Sequence, residues 1–276
     1  MNPTARRHIR KRLLSVGLLV TAFIGALAYL LLWGKGLPYS PIIIGFDRHE
    51  LDHLFIYMEK GGPAAAYDWA DRLVHEAEDF HELRFRSKPA LLFYRKASTY
   101  ARRSPSKARL CAFYNGAIVV SPWVQQEDAE GKLSLRIYLS HELSHALLYQ
   151  NMGLRAKIRY PRWLLEGVAT FSAGQMGSFI YPSQAETMAL IRAGNWMPPE
   201  TFGTSDEDHV RLDVPERMPF IYTEFACIVD DLIATHGCDR FLQYMKRLMV
   251  ESDHDDVFRS VFQIDFDSYL DRFRSK

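Results

Sequence analysis

The sequence predicts an α+β fold. A mixed strand–helix half is followed by an all-helical half, and both stand behind an N-terminal apolar helix. Three observations predict it. Short runs rich in β-formers, with turn residues between them, end by residue 121. Helical periodicity dominates from residue 133. Residues 13–33 carry no charge. The 276 residues suffice for one sizeable domain or two small lobes, and a charged fraction of 24% leaves ample material for a packed core.

The first twelve residues contain Arg6, Arg7, Arg10, Lys11 and Arg12 and no acid. The uncharged run that follows has the roughly twenty apolar residues that cross a bilayer as a helix. A cleaved signal peptide normally has a shorter apolar region of about 7–15 residues. The triplet Ala26-Leu27-Ala28 mimics a cleavage site, yet apolar sequence continues to Trp33. An uncleaved anchor is therefore expected over 13–33, with residues 1–12 as a basic cytoplasmic tail. Everything beyond Trp33 then lies outside the cytoplasm, which in a Gram-negative bacterium is the periplasm. Without the five basic residues of the tail, the 34 Lys and Arg fall to 29 against 33 acids. A mildly acidic body does not suit nucleic acid, so none is expected as a partner.

Residues 34–63 read as a juxtamembrane linker followed by a helix. Leu51, Leu54, Phe55 and Met58 recur at helical spacing over 47–59, and Gly61-Gly62-Pro63 ends the run. The main domain is expected over 64–276. It opens with a helix over 64–82 that turns Trp69, Leu73, Ala77 and Phe80 inward and leaves His75 and His81 at the surface. Residues 89–95 read as a strand. Arg102, Arg103, Lys107 and Arg109 read as a solvated basic loop. Residues 110–121 read as paired strands about a turn at Asn115-Gly116. A helix over about 133–150 and a second after Pro161 follow. Residues 195–217 suggest a long surface loop, and helices are expected near 218–235, 239–250 and 255–274.

Residues 141–145 read His-Glu-Leu-Ser-His, and Glu166 lies in Trp-Leu-Leu-Glu-Gly-Val-Ala-Thr. On a helix, His141 and His145 stand one turn apart on one face, so both imidazoles can reach one zinc ion. Glu142 is then within reach of a water at that ion. A third ligand that leaves one position open distinguishes a catalytic zinc site from a structural one. Glu166 supplies it, and Gly167 beside it permits close helix approach. The short motif also occurs at His49-Glu50-Leu51-Asp52-His53. There Arg48 and Asp52 would have to be buried unpaired, which is costly, whereas the second copy is surrounded by Leu139, Leu143, Ala146, Leu147 and Leu148. The first copy is therefore read as surface histidines. Cys111, Cys227 and Cys238 allow one disulfide at most and show no framework spacing, so free thiols without a zinc role are expected.

His-Glu-x-x-His followed by Trp-x-x-Glu-Gly-x-Ala resembles the gluzincin metallopeptidases, in particular their peptidase MA-like branch. The resemblance covers roughly residues 64–276 and implies a two-lobed zincin-like fold with a cleft between the lobes. It implies that His141, His145 and Glu166 bind one Zn2+ and that Glu142 is the general base. Ala112-Phe113-Tyr114-Asn115-Gly116 is similar to the edge-strand segment of thermolysin that holds extended peptides. Ala112 and Tyr114 are therefore candidates for substrate contact by strand addition. Thermolysin-like enzymes place an Asp four residues after the third ligand to orient a ligand histidine. Thr170 stands there in this chain, so that partner is left open, and Cys111 replaces an Asn that contacts substrate. An oxyanion donor is also needed. Tyr222 is nominated by the resemblance of Phe220-Ile221-Tyr222-Thr223-Glu224 to peptidase MA-like domains, with Tyr160 and His209 as rivals. The function implied is a membrane-anchored zinc peptidase acting on peptide or protein substrates. The alternative is a tethered metal-binding scaffold without catalysis.

Overall fold

The computed structural model of the chain describes residues 3–61 and 67–276. It is a mixed α+β structure with one five-stranded sheet. Helix α1 (Pro3–Trp33) leads into a 3-10 turn at Leu37–Tyr39. Strands β1 (Phe46–Glu50) and β2 (Phe55–Glu59), helix α2 (Trp69–His81), strand β3 (Ala90–Phe93) and helix α3 (Ala97–Arg103) follow. Then come β4 (Leu110–Ala112), β5 (Ala117–Val120), α4 (Val124–Ala129), α5 (Leu135–Asn151), α6 (Leu154–Arg159) and α7 (Arg162–Ser172). Helices α8 (Gln184–Arg192), α9 (Arg217–His236), α10 (Cys238–Arg247), α11 (His254–Phe262) and α12 (Phe266–Arg274) complete the chain. Residues Ser15–Trp33 of α1 have a mean hydropathy of 2.2 and none is buried, so the helix is long and apolar enough to cross a membrane.

The sheet order is β1-β2-β3-β5-β4. The central pairs β2–β3 and β3–β5 are parallel, and β1 and β4 are antiparallel edges. Parallel strands are buried on both faces and read as continuous apolar runs, as β3 (Ala-Leu-Leu-Phe) and β5 (Ala-Ile-Val-Val) do. One face, with Ile56, Leu91, Phe93, Ile118 and Val120, packs on α2 and on the Leu139, Leu143 and Leu147 side of α5. The other face, with Phe46, Leu92, Tyr94 and Val119, gathers Leu37, Tyr100 and Phe113. A third cluster joins α7, α9, α10, α11 and α12.

The hairpin between β4 and β5 turns as its Asn-Gly predicts. Gly116 has φ 85°, and its N–H donates to the Phe113 carbonyl at 2.8 Å. Helix α5 starts where Ser134 caps the Ile137 N–H and Asp128 Oδ1 accepts from the Leu135 N–H at 2.8 Å.

Several expectations are corrected. Residues 47–59 are not helical: Leu51 and Leu54 sit in the turn between β1 and β2, and Ile56 and Met58 alternate into the core. Residues 46–59 thus belong to the same sheet as β3–β5, and the segment before them is packed, with Leu37 fully buried. The first helix of the domain begins at Trp69, which is partly exposed rather than inward, and residues 64–66 of the expected helix lie outside the described ones. His81 is fully buried, not superficial. Arg103 is also buried, and its Nη2 donates to the carbonyls of Leu32 (2.7 Å) and Ile44 (2.6 Å). The expected helix over 255–274 is two helices, broken at Gln263 with φ 60°.

Candidate metal centre and cleft

Helix α5 gives its Leu139, Leu143, Ala146 and Leu147 face to the sheet. The adjacent face, with His141 and His145 one turn apart, is turned toward α7. Helix α7 starts after Pro161, a good helix-entry residue, and buries Trp163, Leu164 and Val168 in the helical cluster. Glu166 then faces α5. Gly167 lets α7 lie almost on α9: a Cβ there would meet the Phe225 carbonyl oxygen at 2.7 Å.

The three side chains converge. His141 Nε2 and His145 Nε2 are 2.9 Å apart. Glu166 Oε2 lies 3.3 Å from the first and 3.4 Å from the second. Among the described residues this is the one group of three His, Cys, Asp or Glu able to hold a metal ion. Glu166 Oε2 is buried without a hydrogen-bond partner, an orphan oxygen aimed between two ring nitrogens. Two ligand atoms about 2.0–2.1 Å from a zinc ion at the tetrahedral angle lie about 3.3 Å apart, which matches both histidine–glutamate distances, while the two ring nitrogens stand closer, at 2.9 Å. The donor set, two imidazoles and one carboxylate, suits zinc and leaves a fourth position free.

The three groups are strongly coupled electrostatically. Burial disfavours charge on Glu166, but the two imidazoles outweigh it and hold its carboxyl well below the usual range. Burial also disfavours charge on His145, yet Glu166 outweighs it and raises the imidazole pKa.

His141 Nδ1 lies 2.9 Å from Gln175 Oε1. An amide oxygen can only accept, so Nδ1 carries the proton and the Nε2 lone pair is left for the centre. Gln175 is almost fully buried and fills the orienting role that Thr170 does not: Thr170 Oγ1 is buried without a partner. Ser144, between the two histidines, contacts His81 Nε2 at 2.9 Å, and His81 Nδ1 contacts the Ala77 carbonyl at 2.8 Å. His81 thus ties α5 to α2 from behind.

Glu142 extends to the cleft side, where its Oε2 accepts the Ala112 N–H at 2.6 Å. The cleft holds roughly 530 Å³. Its walls include Leu110, Cys111 and Ala112 of the edge strand, Tyr138 and Tyr149 of α5, Tyr181, Glu216 and Tyr222. Tyr222 stacks on His141 with ring centres 5.9 Å apart. Its pKa is raised well above the ordinary value, first by burial and then by the Glu166 charge, so it remains a proton donor. Its rivals lie elsewhere: Tyr160 is buried in the helical cluster with its hydroxyl 3.3 Å from the Met245 carbonyl, and His209 is exposed in the 3-10 turn Glu207–His209. Cys111 lines the cleft as a free thiol, pushed up to about 11 by burial and by Glu142.

The structure brings His141, Glu142, His145, Glu166, Ala112 and Tyr222 into one cleft. Tyr114 lies outside it, edge-on to Tyr149 at 4.9 Å, and its carbonyl accepts from Lys157 Nζ at 3.0 Å. The first-copy residues form no centre: His49 is in β1 and His53 lies in the turn after it, near Asp71 and His75. Tyr181, Tyr149 and Gln175 were not found from sequence, since a lone tyrosine or glutamine in a loop or helix carries no spacing signal.

The residues form a largely buried group of two histidines and one glutamate that could hold a metal ion, with a second acid beside it, at the foot of an open cleft. Set against known proteins, no family model and no curated protein matches the chain. A solved structure that is similar in chain path is an M1 zinc metallopeptidase, the E323A mutant from Deinococcus radiodurans. The similarity is remote, at 14% identity and a TM-score of 0.46, over 83% of this chain and 49% of that one. The chain thus spans about half the length of that enzyme, and the functional reading rests on the site itself.

Proposed function

We propose that this chain is a membrane-anchored zinc metallopeptidase that hydrolyses peptide bonds in a cleft between a sheet-bearing lobe and a helical lobe. One observation carries the reading. Glu142 stands beside the His141, His145 and Glu166 centre, in a cleft whose wall is an edge strand. A scaffold that merely held a metal would not need this second carboxylate beside the ligands.

His141, His145 and Glu166 would hold the ion. When bound, zinc supplies Lewis acidity and lowers the pKa of water toward neutrality. Gln175 fixes the His141 ring in the tautomer that offers Nε2 inward. Glu142 takes the proton of the attacking water and passes it to the leaving amine. Tyr222 donates its hydroxyl hydrogen to the oxygen on which charge develops. Substrate lies extended along β4, whose outward groups alternate with those paired to β5. At Ala112 the substrate must displace or share the contact with Glu142, which frees that carboxylate as the substrate enters. The basic residues at the start of α1, ahead of its apolar stretch, favour an extracytoplasmic catalytic domain.

The test measures zinc content and peptidase rate on purified variants. Glu166→Ala should lower zinc occupancy, because two imidazoles alone leave the ion under-coordinated. Glu142→Gln should retain zinc and lose at least the ~10²–10⁴-fold that general acid–base catalysis supplies. A Glu142→Gln variant that cleaves at the parent rate would remove Glu142 as the base. A parent that binds zinc and cleaves nothing would be a tethered metal-binding scaffold.

A further inference from the structure

The N-terminal helix is not joined to the cleft by a loose tether. Several contacts fix its end. Buried Arg103 clasps the Leu32 carbonyl of α1 and the Ile44 carbonyl ahead of β1. The 3-10 turn seats Leu37 in the core, fully buried. Asn115 Nδ2, at the tip of the β4–β5 hairpin, donates to the Pro38 carbonyl at 2.7 Å, and Tyr39 packs edge-on against Phe113 at 5.5 Å. That hairpin carries Ala112, the residue whose N–H meets Glu142.

The path from membrane helix to catalytic carboxylate is therefore short and rigid. Trp33 to Pro38 spans at most about 17 Å of extended chain, and Asn115 to Ala112 at most about 10 Å of chain. Aromatic rings favour the bilayer–water boundary, and Tyr29, Trp33 and Tyr39 are exposed along this path.

We infer that the cleft is held within about 30 Å of the bilayer surface, so its substrates are polypeptide segments that emerge from the same membrane, within roughly ten residues of it. This rests on the peptidase reading and names its substrate class. A freely diffusing polypeptide gains nothing from this placement, whereas a segment confined to the membrane surface is presented at the height of β4.

The test uses the full chain in proteoliposomes. The probe is a quenched-fluorescent decapeptide library, either free or lipid-coupled in the leaflet facing the domain. Coupling is through a Gly-Ser spacer of about 5 or about 60 residues, which reach roughly 12 Å and 43 Å. A variant with about 20 Gly-Ser residues inserted after exposed Lys35 releases the domain from its fixed height. The parent should cleave the short-spacer library several-fold faster than the long-spacer one, and the insertion should abolish that preference while leaving the free-library rate unchanged. Equal rates on both spacers in the parent overturn the inference and leave the peptidase reading intact. No cleavage in any arm, with zinc bound, overturns both. A second readout needs no activity: energy transfer from a fluorophore on a non-natural side chain at position 108, at the cleft mouth, to a dye-bearing lipid. Transfer should fall on linker insertion; unchanged transfer shows that the domain is not held and overturns the inference.

Discussion

In the proposed zinc site, Gln175 would matter without touching the ion. It holds the His141 ring and selects its tautomer. Gln175→Ala should weaken zinc binding about 10–100-fold, read by chelator competition, while Gln175→Glu should restore or tighten it. His81 makes a second prediction at this scale. Burial lowers its pKa to about 4, against 6.5 when free, so the folded chain keeps it neutral. Below pH 6.5 the unfolded chain takes up a proton that the folded chain refuses. The stability tied to His81 is therefore intact above pH 6.5 and is lost as pH falls toward 4, by up to about 3 kcal/mol. His81→Gln keeps a donor and an acceptor but cannot titrate. In chelator, the drop in urea midpoint between pH 7 and pH 4.5 should be smaller for His81→Gln than for the parent; equal drops would show that His81 is not the group responsible.

Between elements, the closest approach is that of α7 to α9 at Gly167. The Cβ of Gly167→Ala would press on backbone atoms of Phe225, which cannot rotate away. The helices must part by several tenths of an ångström, at a cost of about 1–3 kcal/mol, and Glu166 next door moves with them. Both melting temperature and zinc affinity should fall; a variant with parent values in both would mean that α9 yields freely. The double change His49→Ala, His53→Ala should leave zinc content unchanged, because those residues sit on an exposed strand and the turn after it. Sequence reading reached α5, α7 and the β4–β5 hairpin because each has a local cause: apolar spacing, a Pro entry, an Asn-Gly turn. It failed over 47–59, where Leu51, Leu54, Phe55 and Met58 match a helical spacing by accident and only pairing with β3 reveals a strand. His81, Arg103 and Gln175 were illegible for a related reason. A polar residue is buried when distant partners satisfy it, and Ser144, Leu32 and His141 are distant in sequence.

For the molecule as a whole, the run Ser15–Trp33 predicts its partition. Expressed in bacteria, the chain should sediment with membranes, and its C-terminus should be digested by protease added from outside; a soluble, shortened product would mean a cleaved signal instead. The helices that meet at the candidate metal site take much of their packing from different sources. Helix α5 packs on the sheet and α2 through Leu139, Leu143 and Leu147, and α7 belongs to the helical cluster through Trp163, Leu164 and Val168. An ion gripped by both is a cross-link between two hydrophobic cores, and its binding energy is shared with their docking. At a free zinc concentration a thousandfold above the dissociation constant, that linkage is worth about 4 kcal/mol. If the proposed zinc site is right, stripping the metal should therefore loosen the fold as well as end any activity. Amide hydrogens of α7 and the facing turns of α5 should exchange faster, while those of β3 and β5 stay protected, so that the first motion of the unloaded chain is the parting of its two cores.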